Sequence, residues 1–167
     1  VMPAATRASA MPFSDERIEM QWSLNNTGES HFYPTVKASE DINVLPAWEL
    51  TTGRPDVIVA VVDAGVCHTH PDRQANMHVN EVELNGVEGV DDDENGYVDD
   101  IYGYNFADDM GRIMWSANDS HGTHVAGIIA ATSNNGKGIA GIAGGSGNGD
   151  GVRIFSSQIM SGNNTAG

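Results

Sequence analysis

Three side chains in this sequence have types and spacing that could act together on one substrate. Asp63 closes the apolar run Val57-Ile-Val-Ala-Val-Val, and His121 and His124 stand three residues apart in His-Gly-Thr-His. A carboxylate and two imidazoles admit three readings. The first is a metal site that adds Asp63 or an acidic loop residue to both rings. Against it, a zinc-binding helix of the usual kind spaces its histidines four apart with a glutamate between, and that pattern is absent. The second buries both rings as hydrogen-bonded core groups. The third makes His121 a general base oriented by the Asp63 carboxylate. These residues alone leave all three open.

A second constellation is acidic. Asp91, Asp93, Asn95 and Asp99 occupy positions 1, 3, 5 and 9 of a loop, with Gly96 at 6 and the Tyr97 carbonyl at 7. That is the ligand order of an EF-hand-type calcium loop. Asp100 adjoins it, but Tyr102 stands where an EF-hand has its twelfth-position glutamate, and no flanking helices are expected. The expectation is EF-like local geometry without an EF-hand. Glu88, Asp92, Glu94, Asp108 and Asp109 crowd the same region. Carboxylates this dense repel one another unless a cation lies among them, so calcium is the expected cofactor and a solvated acidic turn the alternative.

The elements that must position these groups follow from the pattern. The apolar run before Asp63 is rich in β-branched residues and predicts a parallel strand buried on both faces. Asp63 then falls at the carboxyl end of that strand, where open α/β sheets place functional groups, and Gly65 permits a sharp turn. The stretch 121–131 (HGTHVAGIIAA) predicts a buried helix with Val125, Ile128 and Ile129 apolar, Ser120 as its N-cap and Asn134, Asn135 and Gly136 ending it. A tight small-residue connection over 138–145 leads to a second strand over 152–160. Strand, helix and strand in this order predict a βαβ unit with parallel strands. Upstream, 41–50 predicts a short helix with Pro46 in its first turn, and residues 1–20 read as a tail or linker. Residues 73–120 read as a long loop, and loops of that length are usually functional or ligand-ordered.

The 167 residues suit one domain. Net charge is −15, from 23 acidic against 8 basic residues, which argues against nucleic acid or an anionic membrane as partner. No apolar run is long enough to span a membrane, and the first ten residues do not read as an intact signal peptide. Cys67 is the single cysteine, so no internal disulfide forms.

The stretches VIVAVVDAGVCHTHPD, HGTHVAGIIAA and GIAGIAG together resemble the subtilisin-like serine protease (subtilase) family, over about residues 20–162. The family's aspartate motif is matched at Val62 to Val66, followed by His70-Pro71-Asp72, and its histidine motif at His121 to Gly127. The resemblance implies a three-layer α/β fold with a parallel sheet, present here as its N-terminal part. Residues 21–167 would be an incomplete catalytic domain with an acidic insertion at about 81–110. It implies a secreted, calcium-stabilised serine endopeptidase acting on protein or peptide substrates. Asp63 would orient His121, and His121 would take the proton from a serine hydroxyl and return it to the leaving amine. His124 would be a packing histidine of the helix. Ala64 stands where the family often has Thr or Ser. The 58 positions between Asp63 and His121 compare with about 30 in subtilisin. A second calcium site is implied at Asp72, the Asn135 side chain and carbonyls of the 132–139 loop, with Gln21 joining from the N-terminal arm. His68 and His70 read as loop residues.

No Gly-Thr-Ser-Met-Ala-like stretch carries the family's nucleophile. Ser156 and Ser157 fall in a strand candidate, and Asn118, Asn163 and Asn164 lack the context of an oxyanion-hole asparagine. The chain is therefore expected to be inactive alone, with the serine supplied by the remaining C-terminal part of the same protease. Two alternatives stay open: a non-catalytic calcium-binding or assembly module derived from the fold, and a metallohydrolase using Asp63, His121 and His124.

Overall fold

β-branched residues pack well on a pleated surface, and Ile58–Asp63 forms strand β1. The computed structural model describes residues 10–29, 36–115 and 120–160. Within them β1 pairs in parallel with a strand at Arg153–Gln158, with Val61 opposite Ser156 and Asp63 opposite Gln158. Between the two in sequence lies a helix, His121–Ala130, which packs on both strands. The predicted βαβ unit is present. The sheet has a third strand, at Gly103–Asn105, which the sequence reading left inside the long loop. In chain order the strands are β1, β2 (Gly103–Asn105) and β3 (Arg153–Gln158), and in space the order is β1-β3-β2, all parallel. Three residues give no readable alternation, so β2 was hidden by its length.

Burial of β1 on both faces is not what the structure has. Val61 is 4% exposed, whereas Ile58 and Val62 on the opposite face are more than half exposed. Coverage is the reason. The long helix packs on one face, where Ala126 and Ala130 meet Val61, Val66, Met77, Val152 and Ile154. The valine, isoleucine and methionine side chains among them each contribute roughly 1.5–3 kcal/mol when fully buried. Among the described residues no helix lies against the other face.

Two four-residue helices precede the long one: α1 at Leu45–Trp48, with Pro46 in its first turn as expected, and α2 at Glu81–Leu84. The long helix is α3. Trp48 of α1 donates its indole N–H to the Ile142 carbonyl at 2.8 Å and joins Ile18, Leu24, Val44 and Ala140 in a second apolar cluster. The described part of the segment read as a tail, residues 10–20, is therefore built into the body. Ile18 is buried there, and Asp15 is buried too, accepting hydrogen bonds from the Asn134 and Asn135 backbone N–H groups. An isolated buried isoleucine among polar residues carries no period, which is why the arm was unreadable as structure. No helix among the described residues is long and apolar enough to cross a membrane.

Candidate active site and acidic loop

The end of β1 and the start of α3 bring Asp63 and His121 together across 58 positions. His121 Nδ1 lies 2.7 Å from Asp63 Oδ2. The aspartate is buried, and its other oxygen accepts the Ala64 N–H at 2.8 Å. An ionised carboxylate only accepts, so the bond fixes the hydrogen on Nδ1 and leaves Nε2 as the basic nitrogen. The His121 side chain is 74% exposed. A ring held at one nitrogen by a buried carboxylate and open at the other can take up a proton from an incoming hydroxyl.

Two glycines make that approach close. Gly65 has φ +107°, a backbone that side-chain-bearing residues rarely adopt, and a Cβ there would stand 2.5 Å from the Met114 carbonyl oxygen. Gly122 follows His121, and a Cβ on it would meet the Gly65 carbonyl oxygen at 2.5 Å and Asp63 Cβ and Oδ1 at 3.0 Å. The first turn of α3 thus rests directly on the aspartate. The buried face of α3 is its small one, Gly122, Ala126 and Ala130, while Val125 and Ile129 are only partly buried and Ile128 is exposed. Small residues at this spacing let the helix sit near the sheet.

Several expectations need correction. His124 is exposed and packs nothing into the core. Ser120 occupies the N-cap position, but its side chain makes no capping bond; its carbonyl accepts the His124 N–H at 2.8 Å. The helix stops at Ala130, before Asn134, Asn135 and Gly136. Asp63, His121 and His124 do not form a three-ligand metal cluster among the described residues. Ser156 is fully buried in β3 opposite Val61, with no access to an attacking geometry. Asn118, Asn163 and Asn164 lie outside the described residues.

The acidic loop is organised differently from the site. Asp93 and Asp100 converge with Glu83 of α2, one oxygen of each lying within 4.8 Å of the others. Asn80 donates its side-chain N–H groups to Asp93 at 2.9 Å and Asp100 at 2.7 Å, and Asn95 donates to both at 3.2 Å. Glu83 was missed in the sequence because it lies outside the ten-residue motif. It is buried and accepts the backbone N–H groups of Asp92, Asp93 and Asp99 at 2.7–3.2 Å. Burial pushes the Asp100 carboxyl above its ordinary range against the pull of the two asparagines, and the neighbouring Asp93 and Glu83 push the same way. Asp91 and Asp99 stand apart from the cluster. Asp91 accepts from the Asn95 and Gly96 backbone and Asp99 from Gly89. Tyr97 packs its ring against Tyr104 and Phe106. The three carboxylates supply hard oxygen donors of the kind calcium takes, while the Asn80 and Asn95 amides turn their N–H groups toward them.

Asp72 and Asn135 are also brought together. Asn135 Nδ2 donates to Asp72 Oδ1 at 2.9 Å, and the Ile139 N–H donates to Oδ2 at 3.0 Å. Burial raises the Asp72 pKa above the usual carboxylate range. Gln21 reaches this loop but spends its amide on Ala140, donating to the carbonyl at 2.9 Å and accepting from the N–H at 2.8 Å. His70 is exposed, whereas His68 is half-buried and stacks on Tyr102 with centroids 4.5 Å apart. Burial, chiefly, lowers the His68 pKa.

The chain is similar to known proteins. The Subtilase family model matches residues 54–166. Subtilisin-like protease 1 of Plasmodium vivax is 40% identical over 132 residues, covering 79% of this chain and 19% of that protein. Halolysin of Haloferax mediterranei is 30% identical over 148 residues, covering 84% and 25%. A serine protease of Aeromonas sobria, crystallised in complex with a chaperone, aligns with a TM-score of 0.66 at 24% identity over 93% of this chain and 22% of that one, and so shares the fold. The chain spans about a fifth of the length of the Plasmodium vivax relative.

Proposed function

Because the chain belongs to the subtilase family, we propose that it is the Asp- and His-bearing part of a serine endopeptidase. Asp63 is the orienting acid and His121 the general base. The observation that carries this reading is the 2.7 Å contact between His121 Nδ1 and buried Asp63 Oδ2. With Nδ1–H held, Nε2 accepts the proton of a serine hydroxyl as it attacks the substrate carbonyl. Asp63 stabilises the imidazolium, and the proton then passes to the leaving amine. The serine belongs to the remainder of the protease, so the chain alone hydrolyses no peptide bond. Relatives named as halolysin-like extracellular serine protease and extracellular protease support secretion.

Calcium stabilises the domain in this reading. Glu83, Asp93 and Asp100 hold one ion beside the Asn80 and Asn95 amides, and Asp72 and Asn135 hold a second against the 132–139 loop. The bound ion supplies charge neutralisation that fixes the loops, and the proton transfers run through His121 and Asp63. The test is covalent labelling of the full-length protease with a serine-directed fluorophosphonate, compared with its His121→Ala variant. Labelling lost in the variant with unchanged melting supports the reading. Undiminished labelling sinks it.

A further inference from the structure

Arg73 is the most deeply buried charge among the described residues, at 1% exposed. Its Nη1 donates to the Thr123 carbonyl at 2.9 Å and its Nη2 to the Cys67 carbonyl. The same two residues are also joined directly, because the Cys67 N–H donates to Thr123 Oγ1 at 2.9 Å. Cys67 comes four positions after Asp63, and Thr123 two after His121. One guanidinium therefore bridges the loop that leaves the aspartate and the helix turn that carries the histidine. No carboxylate forms an ion pair with it among the described residues. For stability alone this is a poor use of a buried position, since a well-packed apolar side chain avoids the cost of desolvating the charge.

What the charge secures is geometry. The guanidinium is planar and presents its N–H groups in a fixed fork, so two carbonyls bound to it are held at one separation. Little else locks that joint. Ser120 gives α3 no side-chain cap, Gly65 and Gly122 meet there without side chains, and the His121 side chain is 74% exposed. The turn that carries Arg73 also grips the far end of the helix. Asn76, fully buried, donates Nδ2 to the Ala130 carbonyl at 3.1 Å and to the Gly144 carbonyl at 3.0 Å. Residues 73–76 thus hold α3 at its first turn and at its last residue.

We infer that Arg73 is a positioning residue for the reaction: its fork fixes the first turn of α3 against the loop after β1, and so keeps His121 Nδ1 on Asp63 Oδ2. The inference rests on the protease reading above. Arg73 takes no proton and acts only through the backbone of Cys67 and Thr123.

The test is the rate at which a fluorophosphonate labels the full-length, calcium-saturated protease, resolved into a limiting rate constant and a half-saturating concentration. Each variant is measured well below its own melting temperature. Arg73→Met should lower the limiting rate about 100-fold, the scale of a misplaced base, with half-saturation within about twofold of wild type. Arg73→Lys keeps the charge without the fork and should stay about tenfold below wild type. Arg153 is the matched control. It forks onto the Ala75 and Gly149 carbonyls at 3.1 and 2.9 Å, and also donates to Asn76 Oδ1 at 3.1 Å, at the other end of the sheet. Arg153→Met should melt earlier and label at the wild-type rate. If Arg73→Met does not fold, Thr123→Val decides, because it removes the acceptor of the Cys67 N–H. Its limiting rate should fall about tenfold, the worth of one hydrogen bond. A wild-type limiting rate in Arg73→Met, or in Thr123→Val where that variant decides, would overturn the inference. So would equal rate losses in Arg73→Met and Arg153→Met, or full activity in Arg73→Lys. Labelling that survives His121→Ala sinks the protease reading itself, whereas labelling that needs His121 but ignores Arg73 sinks only the positioning role.

Discussion

Two carboxylate groups in this molecule are arranged by opposite means. Asp63 is a single buried acid placed by secondary structure, and its partner His121 is 2.7 Å away because a strand ends where a helix begins. The Glu83, Asp93 and Asp100 cluster has no strand or long helix to place it. Its loop is shaped by carboxylates accepting backbone N–H groups, with Glu83 taking three of them and Asp91 two. In the first region one acid has one hydrogen-bond partner to find. In the second, three acids face each other and only amide dipoles lie between. The first geometry is rigid without a ligand, and the second invites one.

The sharpest way to break that contrast is to remove the histidine. In the full-length protease, His121→Ala should lower kcat by about six orders of magnitude, the loss known for the equivalent change in subtilisin. Melting should hardly move, because the side chain is exposed. Asp63→Asn should cost about four orders, since the amide favours the wrong tautomer of the ring. Gly122→Ala tests the rigidity itself. Its Cβ would fall 2.5 Å from the Gly65 carbonyl oxygen, so α3 must lift off β1. Misplacing the base by a fraction of an ångström should cost about 100-fold in kcat, and overpacking about 1–3 kcal/mol in stability. A Gly122→Ala enzyme with wild-type kcat would show that the contact is not rigid.

The same contrast explains what the sequence could reveal. Asp63, His121, β1, α3 and β3 were legible because long apolar runs and a helical period announce them, and two motifs in order tie them together. Burial on both faces of β1 was misjudged because an apolar strand carries no mark of which neighbours are present to cover it. His124 was misread as packing because HGTH places both rings on one helix but does not say which face the sheet takes; Gly122 and Ala126 take it. The acidic motif was legible as a motif, yet its members divided unexpectedly. Asp91 and Asp99 serve the backbone, while Glu83, ten residues before Asp93, enters the cluster through the fold of the loop. Contacts of that kind have no period to read. Arg73 gave no signal either, since burial of a charge is visible only in the packed chain.

The cluster is broken by calcium itself. At a calcium concentration about 100 times the dissociation constant, an ion held only by the folded state adds about 2.7 kcal/mol, and excess chelator should remove it. The double change Asp93→Asn with Asp100→Asn should abolish that increment. In chelator the same variant should be as stable as wild type or about 1 kcal/mol more so, because two repelling charges are gone. Thermal melting with and without chelator measures both effects. A calcium increment that survives the double change would assign the ion elsewhere, with Asp72 and Asn135 the next place to look.

The smallest effect is a dependence on pH. The Asp100 carboxyl is raised above its ordinary value by burial, with Asp93 and Glu83 adding to the shift. A carboxyl with a higher pKa folded than unfolded binds more protons in the folded state through the interval between the two values. Its contribution to stability therefore falls as pH rises through that interval and is regained on acidification. Calcium-free wild type should lose less stability than the Asp100→Asn variant as pH is lowered from neutrality to about 4. The comparison matters because acid titrates the carboxylates remote from Asp100 equally in both proteins. Calcium reverses the sign: a bound cation favours the ionised form, so in saturating calcium wild type should lose more stability than the variant over the same range. Melting curves at matched pH with calcium or chelator give the four numbers needed. A difference between the two proteins that keeps the same sign in both would mean that Asp100 never faces the ion, and the acidic loop would then be organised by its amides alone.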